Sequence, residues 1–151
     1  MPDYSLTEAE AERILHLLKW VDTELQWRQN ENGDWIMRAP VLADEQVPLT
    51  WYVRFNPRTG NYTSILFWQQ INLRRLDVGK RHHNPDCRDV GRMHKHRWTD
   101  AVRDHMAYEP GEMSQQDDVG ITLQKFLAEC EVALRVPLYN PPAASQRELG
   151  L

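Results

Sequence analysis

The stretch "TWYVRFNPRTGNYTSILFWQQINLRRLDV", residues 50–78, decides the fold. Two runs rich in β-branched and aromatic residues, "TWYVRF" and "NYTSILFW", flank "NPRTG", whose proline and glycine mark a turn. Alternation along the first arm puts Trp51, Val53 and Phe55 on one face and Tyr52 and Arg54 on the other. A third run, "QINLRRLDV", extends the sheet. There Ile71 and Leu73 fall on one face together with Arg75, and Arg74 falls on the opposite one.

Working outward, "ENGDW" carries a hairpin signal at Asn32-Gly33 between "ELQWRQ" and "WIMRA". Downstream, "RMHKHRW" alternates as a strand, and "HMAYEP" reads as a short final strand stopped by Pro110. Helical spacing brackets the strands. Residues 7–21 carry the apolar face Ala11, Ile14, Leu15, Leu18 and Val21, with either Ser5/Glu8 or Thr7/Glu10 as a capping box. A second helix is predicted from Val119 to Val136, with Leu123, Phe126, Leu127, Cys130 and Leu134 facing inward. These elements predict a single α+β domain over residues 1–136, an antiparallel sheet of about five or six strands with an N-terminal and a C-terminal helix. A Pro-rich C-terminal tail, residues 137–151, follows.

The chain has 151 residues, enough for one domain with its own core. A formal net charge of −4 excludes a general polyanion binder. Two cysteines, Cys87 and Cys130, do not make a disulfide framework, and no apolar run reaches transmembrane length. With no basic, apolar leader at the start, the expectation is a cytoplasmic protein without a membrane partner. Oligomeric state stays open.

Charge is unevenly spread, and the chemistry concentrates where it is most positive. From Arg74 to Arg97 there are eight Lys or Arg against three Asp, and five of the six histidines lie between His82 and His105. His94 and His96, spaced i, i+2, point the same way on a strand, together with Arg92 and Trp98. Neither face of that strand reads as core, so it is expected at a sheet edge or lining a site.

Three readings compete. In the first, His82, His83, His94 and His96 supply general acid and base for cleaving RNA, because imidazole titrates near neutrality. Arg74, Arg75, Lys80, Arg81 and Arg92 then hold the phosphate, and Trp98 or Tyr108 stacks a base. This reading needs no cofactor. In the second, His94 and His96 chelate zinc, with further ligands from His82, His83, Asp86 or Cys87. The third is a binding module whose basic loop only docks a partner; a histidine-rich surface loop without chemistry is the plain form of it.

The order "LRRLD…RHHNP…GRMHKHRW…ITLQKFLAECE" resembles the TumE-like toxins of bacterial toxin–antitoxin modules, over roughly residues 71–132 and the N-terminal helix. It is also similar to a related uncharacterised bacterial family that opens with "LT…EA…LL" and ends in "FL…C". The resemblance implies a small sheet-based ribonuclease or translation-blocking toxin acting on RNA, with a cognate antitoxin protein as partner. It carries Arg74, Arg75, His82, His83, His94 and His96 as the positions of interest. Where those families place an apolar residue between the two strand histidines, this chain has Lys95.

Overall fold

The computed structural model describes residues 6–79, 82–83, 89–109 and 117–142; for residues 82, 83, 89, 90, 104 and 105 it describes the backbone alone. The central meander forms as the sequence predicts. β4 (Leu49–Phe55), β5 (Tyr62–Trp68) and β6 (Ile71–Val78) pair antiparallel in turn. The β4–β5 turn closes where Gly60 N–H donates to the Asn56 carbonyl at 2.8 Å.

On one side of this meander, β9 (Met93–Thr99) pairs with β6, and β10 (Arg103–Tyr108) pairs with β9. On the other side, β3 (Trp35–Ala43) pairs with β4. β2 (Arg28–Gln29) makes the Asn32-Gly33 hairpin with the start of β3, and β1 (Lys19–Val21) pairs with its end. Pro40 lies in the stretch of β3 between those two pairings, where its missing N–H costs no ladder bond on the outer edge. β11 (Val132–Leu134) lies parallel to β1, and β7 (His82–His83) pairs with β8 (Asp89–Val90) as a separate ribbon. The helices are α1 (Glu8–Leu15) and α2 (Val119–Glu129).

Among the described residues the main sheet therefore has nine strands, ordered β10-β9-β6-β5-β4-β3-β1-β11 with β2 beside β3. This corrects the expected five or six strands, and the sheet is mixed rather than wholly antiparallel. Two strands that the sequence did not suggest, β1 and β11, come from the ends of the two predicted helices. Each is too short to show alternation. At the first helix, Thr7 is the cap, its hydroxyl accepting from Glu10 N–H at 3.1 Å, and the helix stops at Leu15 rather than residue 21. Leu18, counted on the apolar face, is 77% exposed. At the second, Glu131 takes a left-handed φ of 56°, breaking the helix before Val132 enters the sheet.

Both helices pack on one face of the sheet. Cross-strand rows on that face read Ala39–Trp51–Leu66–Arg74 and Met37–Val53–Ser64–Leu76–Lys95. Each begins apolar and ends in a cation. Helix glutamates meet those cations. Lys95 Nζ pairs with Glu129, Tyr108 Oη donates to Glu129 at 2.8 Å, and Arg74 lies 3.5 Å from Glu12. Burial pushes the Tyr108 phenol up, and it pushes the Cys130 thiol of the same region up to about 12. Cys130 is core, as its place on the apolar stripe predicts.

Lys19 does the same work at the other end. Its Nζ donates to the carbonyls of Ile14 (3.2 Å), Leu15 (2.5 Å) and Leu17 (2.7 Å), closing the C-terminus of α1 with a cation. The segment 137–142 also has partners: Trp27 Nε1 donates to the Tyr139 carbonyl at 2.8 Å, and Gly120 N–H donates to Asn140 Oδ1 at 2.7 Å.

Two outcomes follow for stability. Glu129→Leu leaves Lys95 buried without its counter-charge and should cost about 2–4 kcal/mol, discounted for the partial exposure of Glu129. Adding Lys95→Met should recover most of that loss in denaturant titrations; a double variant as unstable as the single one contradicts the pairing. Lys19→Met should cost about 1–3 kcal/mol at pH 7 by stranding helix-end carbonyls. Burial lowers the Lys19 ammonium from 10.5 to about 8, so between those pH values the unfolded chain binds the extra proton. Stability of the wild type relative to Lys19→Met should then rise from about pH 8 to 10.5. A pH-independent gap across that window rejects this account of Lys19.

Candidate metal centre

The opposite face of the sheet carries the histidines. Its cross-strand rows are Arg38–Tyr52–Ile65–Arg75–His96 and Ile36–Arg54–Thr63–Asp77–His94. Strand alternation and antiparallel register thus set Asp77 directly beside His94, and Arg75 directly beside His96. β9 lies between β6 and β10, so of the two expected places, a sheet edge or the lining of a site, the edge is excluded and the strand is interior, with His94 and His96 in the cluster. Both of its faces are buried, one against α2 and one in this cluster.

Asp77 is the hub. Its Oδ2 lies 3.3 Å from His94 Nε2 and 3.2 Å from His96 Nε2, and it accepts from Arg75 Nε at 3.0 Å. Its Oδ1 accepts from the Thr63 hydroxyl at 2.7 Å. The imidazole rings stand edge to face with centroids 4.9 Å apart. Relative exposures of 7% for Asp77, 2% for His94 and 1% for His96 place the cluster inside the protein. Burial alone raises the Asp77 carboxyl; its contacts with His94 and His96, the Arg75 charge and the Thr63 hydroxyl outweigh that and hold it well below the usual carboxylate range. Asp77 is therefore an anion.

Hydrogen-bond chemistry fixes part of the proton arrangement. The Gly91 carbonyl only accepts, so His94 Nδ1, 3.0 Å away, carries a proton and donates to it. His96 Nε2 lies between Arg75 Nη2 at 2.8 Å and Asp77 Oδ2 at 3.2 Å: unprotonated it accepts from the guanidinium, protonated it donates to the carboxylate. A backbone carbonyl on Nδ1 is the orientation that presents Nε2 to a metal. One ligand atom from each of Asp77, His94 and His96 lies within 4.8 Å of the others. Tetrahedral zinc with bonds of about 2.0–2.1 Å separates its ligands by about 3.3 Å. Both carboxylate–imidazole distances, 3.3 and 3.2 Å, match that edge.

The predicted residues divide plainly. His94, His96 and Arg75 come together. Arg74 turns to the helix face, toward Glu12 and Glu129, and Tyr108 joins it there. Trp98 is buried in the core and donates its indole N–H to the Leu6 carbonyl at 2.9 Å, which leaves no ring face for a base. Arg92 is exposed. The side chains of His82 and His83, and all of Lys80, Arg81, Asp86 and Cys87, lie outside the described residues.

Asp77 was not singled out by the sequence as a ligand, and neither was Thr63. A signal was present: aspartate is depleted in strands, and Asp77 shares its strand face with Arg75. It became a ligand candidate only once β6 was known to lie beside β9.

No curated protein and no solved structure matches the chain. A family model does match, over residues 6–132, which includes every residue of the cluster. The chain belongs to the Family of unknown function (DUF6978).

Proposed function

We propose that this domain binds a divalent transition metal, zinc by the chemistry of its ligands, through His94, His96 and Asp77. The observation that carries the reading is Asp77 Oδ2 at 3.3 and 3.2 Å from the two Nε2 atoms. Two imidazoles and a carboxylate are a borderline set that suits zinc, and iron(II) takes the same three donors. The Gly91 carbonyl on His94 orients the ring from behind. The opposite charge of the metal also accounts for an anionic carboxylate in so buried a place.

One observation favours a metal-free alternative. Arg75 already donates to Asp77, and with both Nε2 atoms protonated His94 and His96 donate to it too, which makes the cluster a self-satisfied network with a tethered guanidinium beside the carboxylate. The toxin-like ribonuclease reading draws less support. An acid/base pair for RNA needs imidazoles open to a phosphate, and His94 and His96 are 2% and 1% exposed. No described helix is long and apolar enough to cross a membrane.

Elemental analysis of protein purified without chelator should find close to one zinc per chain. Saturating zinc at a hundred times its dissociation constant adds about 2.7 kcal/mol, a rise of roughly 5–10 °C in melting temperature for a chain of this size. Asp77→Asn and His94→Gln, both close in shape to the originals, should abolish that rise while circular dichroism shows a folded sheet. Metal-free wild-type protein that neither takes up zinc nor shifts its melting temperature hands the cluster to the self-satisfied reading.

A further inference from the structure

At one end of the sheet, β11 has a neighbour on one side only. Lys19 N–H donates to the Glu131 carbonyl at 3.1 Å, and Arg135 N–H donates to the Val21 carbonyl at 3.0 Å. With Lys19 beside Val132 and Val21 beside Leu134, this parallel ladder turns the backbone of Ala133 toward β1. The N–H and C=O groups of Val132 and Leu134 therefore point away from β1, and among the described residues no strand lies beyond them. An edge of this kind is a template for a further strand. The opposite edge differs: β10 carries a bulge between Arg103 and Met106, which twists it away from regular pairing.

The side chains at the β11 edge have a definite pattern. On the face away from the helices, Leu42, Trp20 and Ala133 form a cross-strand row. Leu42 and Ala133 are exposed, and Leu18, 77% exposed, borders the same open groove. The strand itself is Val-Ala-Leu, with one charge at each end: Glu131 before it and Arg135 after it, both lining the groove. The Arg135 guanidinium lies 4.6 Å from the centre of the Trp20 ring, a stack that leaves its in-plane N–H groups for a carboxylate. Glu131 meets His16 Nδ1 through Oε1 at 3.3 Å, and its side chain is 40% exposed, so the carboxylate can take a further donor.

The geometry points to β11 as a self-pairing edge: two copies of this chain join their β11 strands antiparallel, about a two-fold axis at Ala133, and the sheet runs on from one copy into the other. Val132 of each copy then exchanges both backbone hydrogen bonds with Leu134 of the other. Ala133 meets its own counterpart in the close, non-hydrogen-bonded pair, about 4.5 Å between Cα atoms, where a methyl side chain fits. Glu131 of each copy comes opposite Arg135 of the other, an opposite-charge pair at both ends of the joint. A strand that matches both charges must carry them in reverse order, and β11 read backwards is such a strand. Parallel pairing in register would set like charges opposite each other. The apolar row continues from Ala133 into Trp20 and Leu42 of the second copy, which removes exposed apolar surface of both from water.

Sedimentation equilibrium of the full-length chain tests this, with circular dichroism to show that each variant is folded. The wild type should be a reversible dimer. Arg135→Glu and Glu131→Arg each set like charges opposite one another across the joint, and each should sediment as a monomer under conditions where the wild type pairs. Mixed in equal amounts, these two variants regain an opposite pair at both ends and should form a heterodimer. Leu134→Pro removes an outward N–H from each copy and keeps the ladder to β1, so it should weaken the dimer roughly ten- to hundredfold. A wild-type chain that stays monomeric up to about 1 mM, where even a weak pairing would show, overturns the inference. So does a dimer that Leu134→Pro and both charge variants leave unchanged, because the joint is then elsewhere. A mixture of the two charge variants that stays monomeric overturns the antiparallel pairing.

Discussion

The structure depends on a carboxylate held inside a sheet. Asp77 on β6 draws Thr63 from β5, Arg75 from its own strand and His94 and His96 from β9 onto one pair of oxygens. Stripped of those partners, a buried carboxylate would protonate or open the sheet to water. The register between β6 and β9 is therefore constrained by chemistry as well as by backbone ladders. A slip of one residue would send His94 and His96 to the helix face and bring Lys95 against Asp77.

β9 makes the consequence clear. It is an interior strand with a cation buried on one face and two imidazoles buried on the other, and each face has its own counter-charge: Glu129 from α2, Asp77 from β6. Such pairs add little net stability over apolar packing, yet losing one partner is expensive. An arrangement this costly to disturb makes sense where the polar groups serve a purpose beyond folding. On the helix face the glutamates close the network. On the other face the donors converge on a point, and Arg75 holds that point in the absence of another cation.

Much of this was legible in the residues. The β4–β5 hairpin and the Asn32-Gly33 hairpin follow from turn chemistry between alternating runs, and opposite faces for Arg74 and Arg75 follow from a period of two. The H-x-H spacing likewise put both imidazoles on one side. Three-residue strands at Lys19–Val21 and Val132–Leu134 were hidden because leucine and valine at helical spacing also fit a strand, and only the parallel pairing of the two segments decides. Burial of Lys95 was hidden because its partner, Glu129, is 34 residues away on a helix. Asp77 was hidden for the same reason: nothing local tells a strand aspartate which strand will lie beside it.

The most direct test of the metal centre is X-ray absorption at the zinc edge of the loaded protein. The account predicts a nitrogen and oxygen shell at about 2.0–2.1 Å with the outer-shell scattering of two imidazoles, lost when Asp77, His94 and His96 are replaced together. A sulfur shell at about 2.3 Å, or a zinc environment unchanged by that triple replacement, would contradict it.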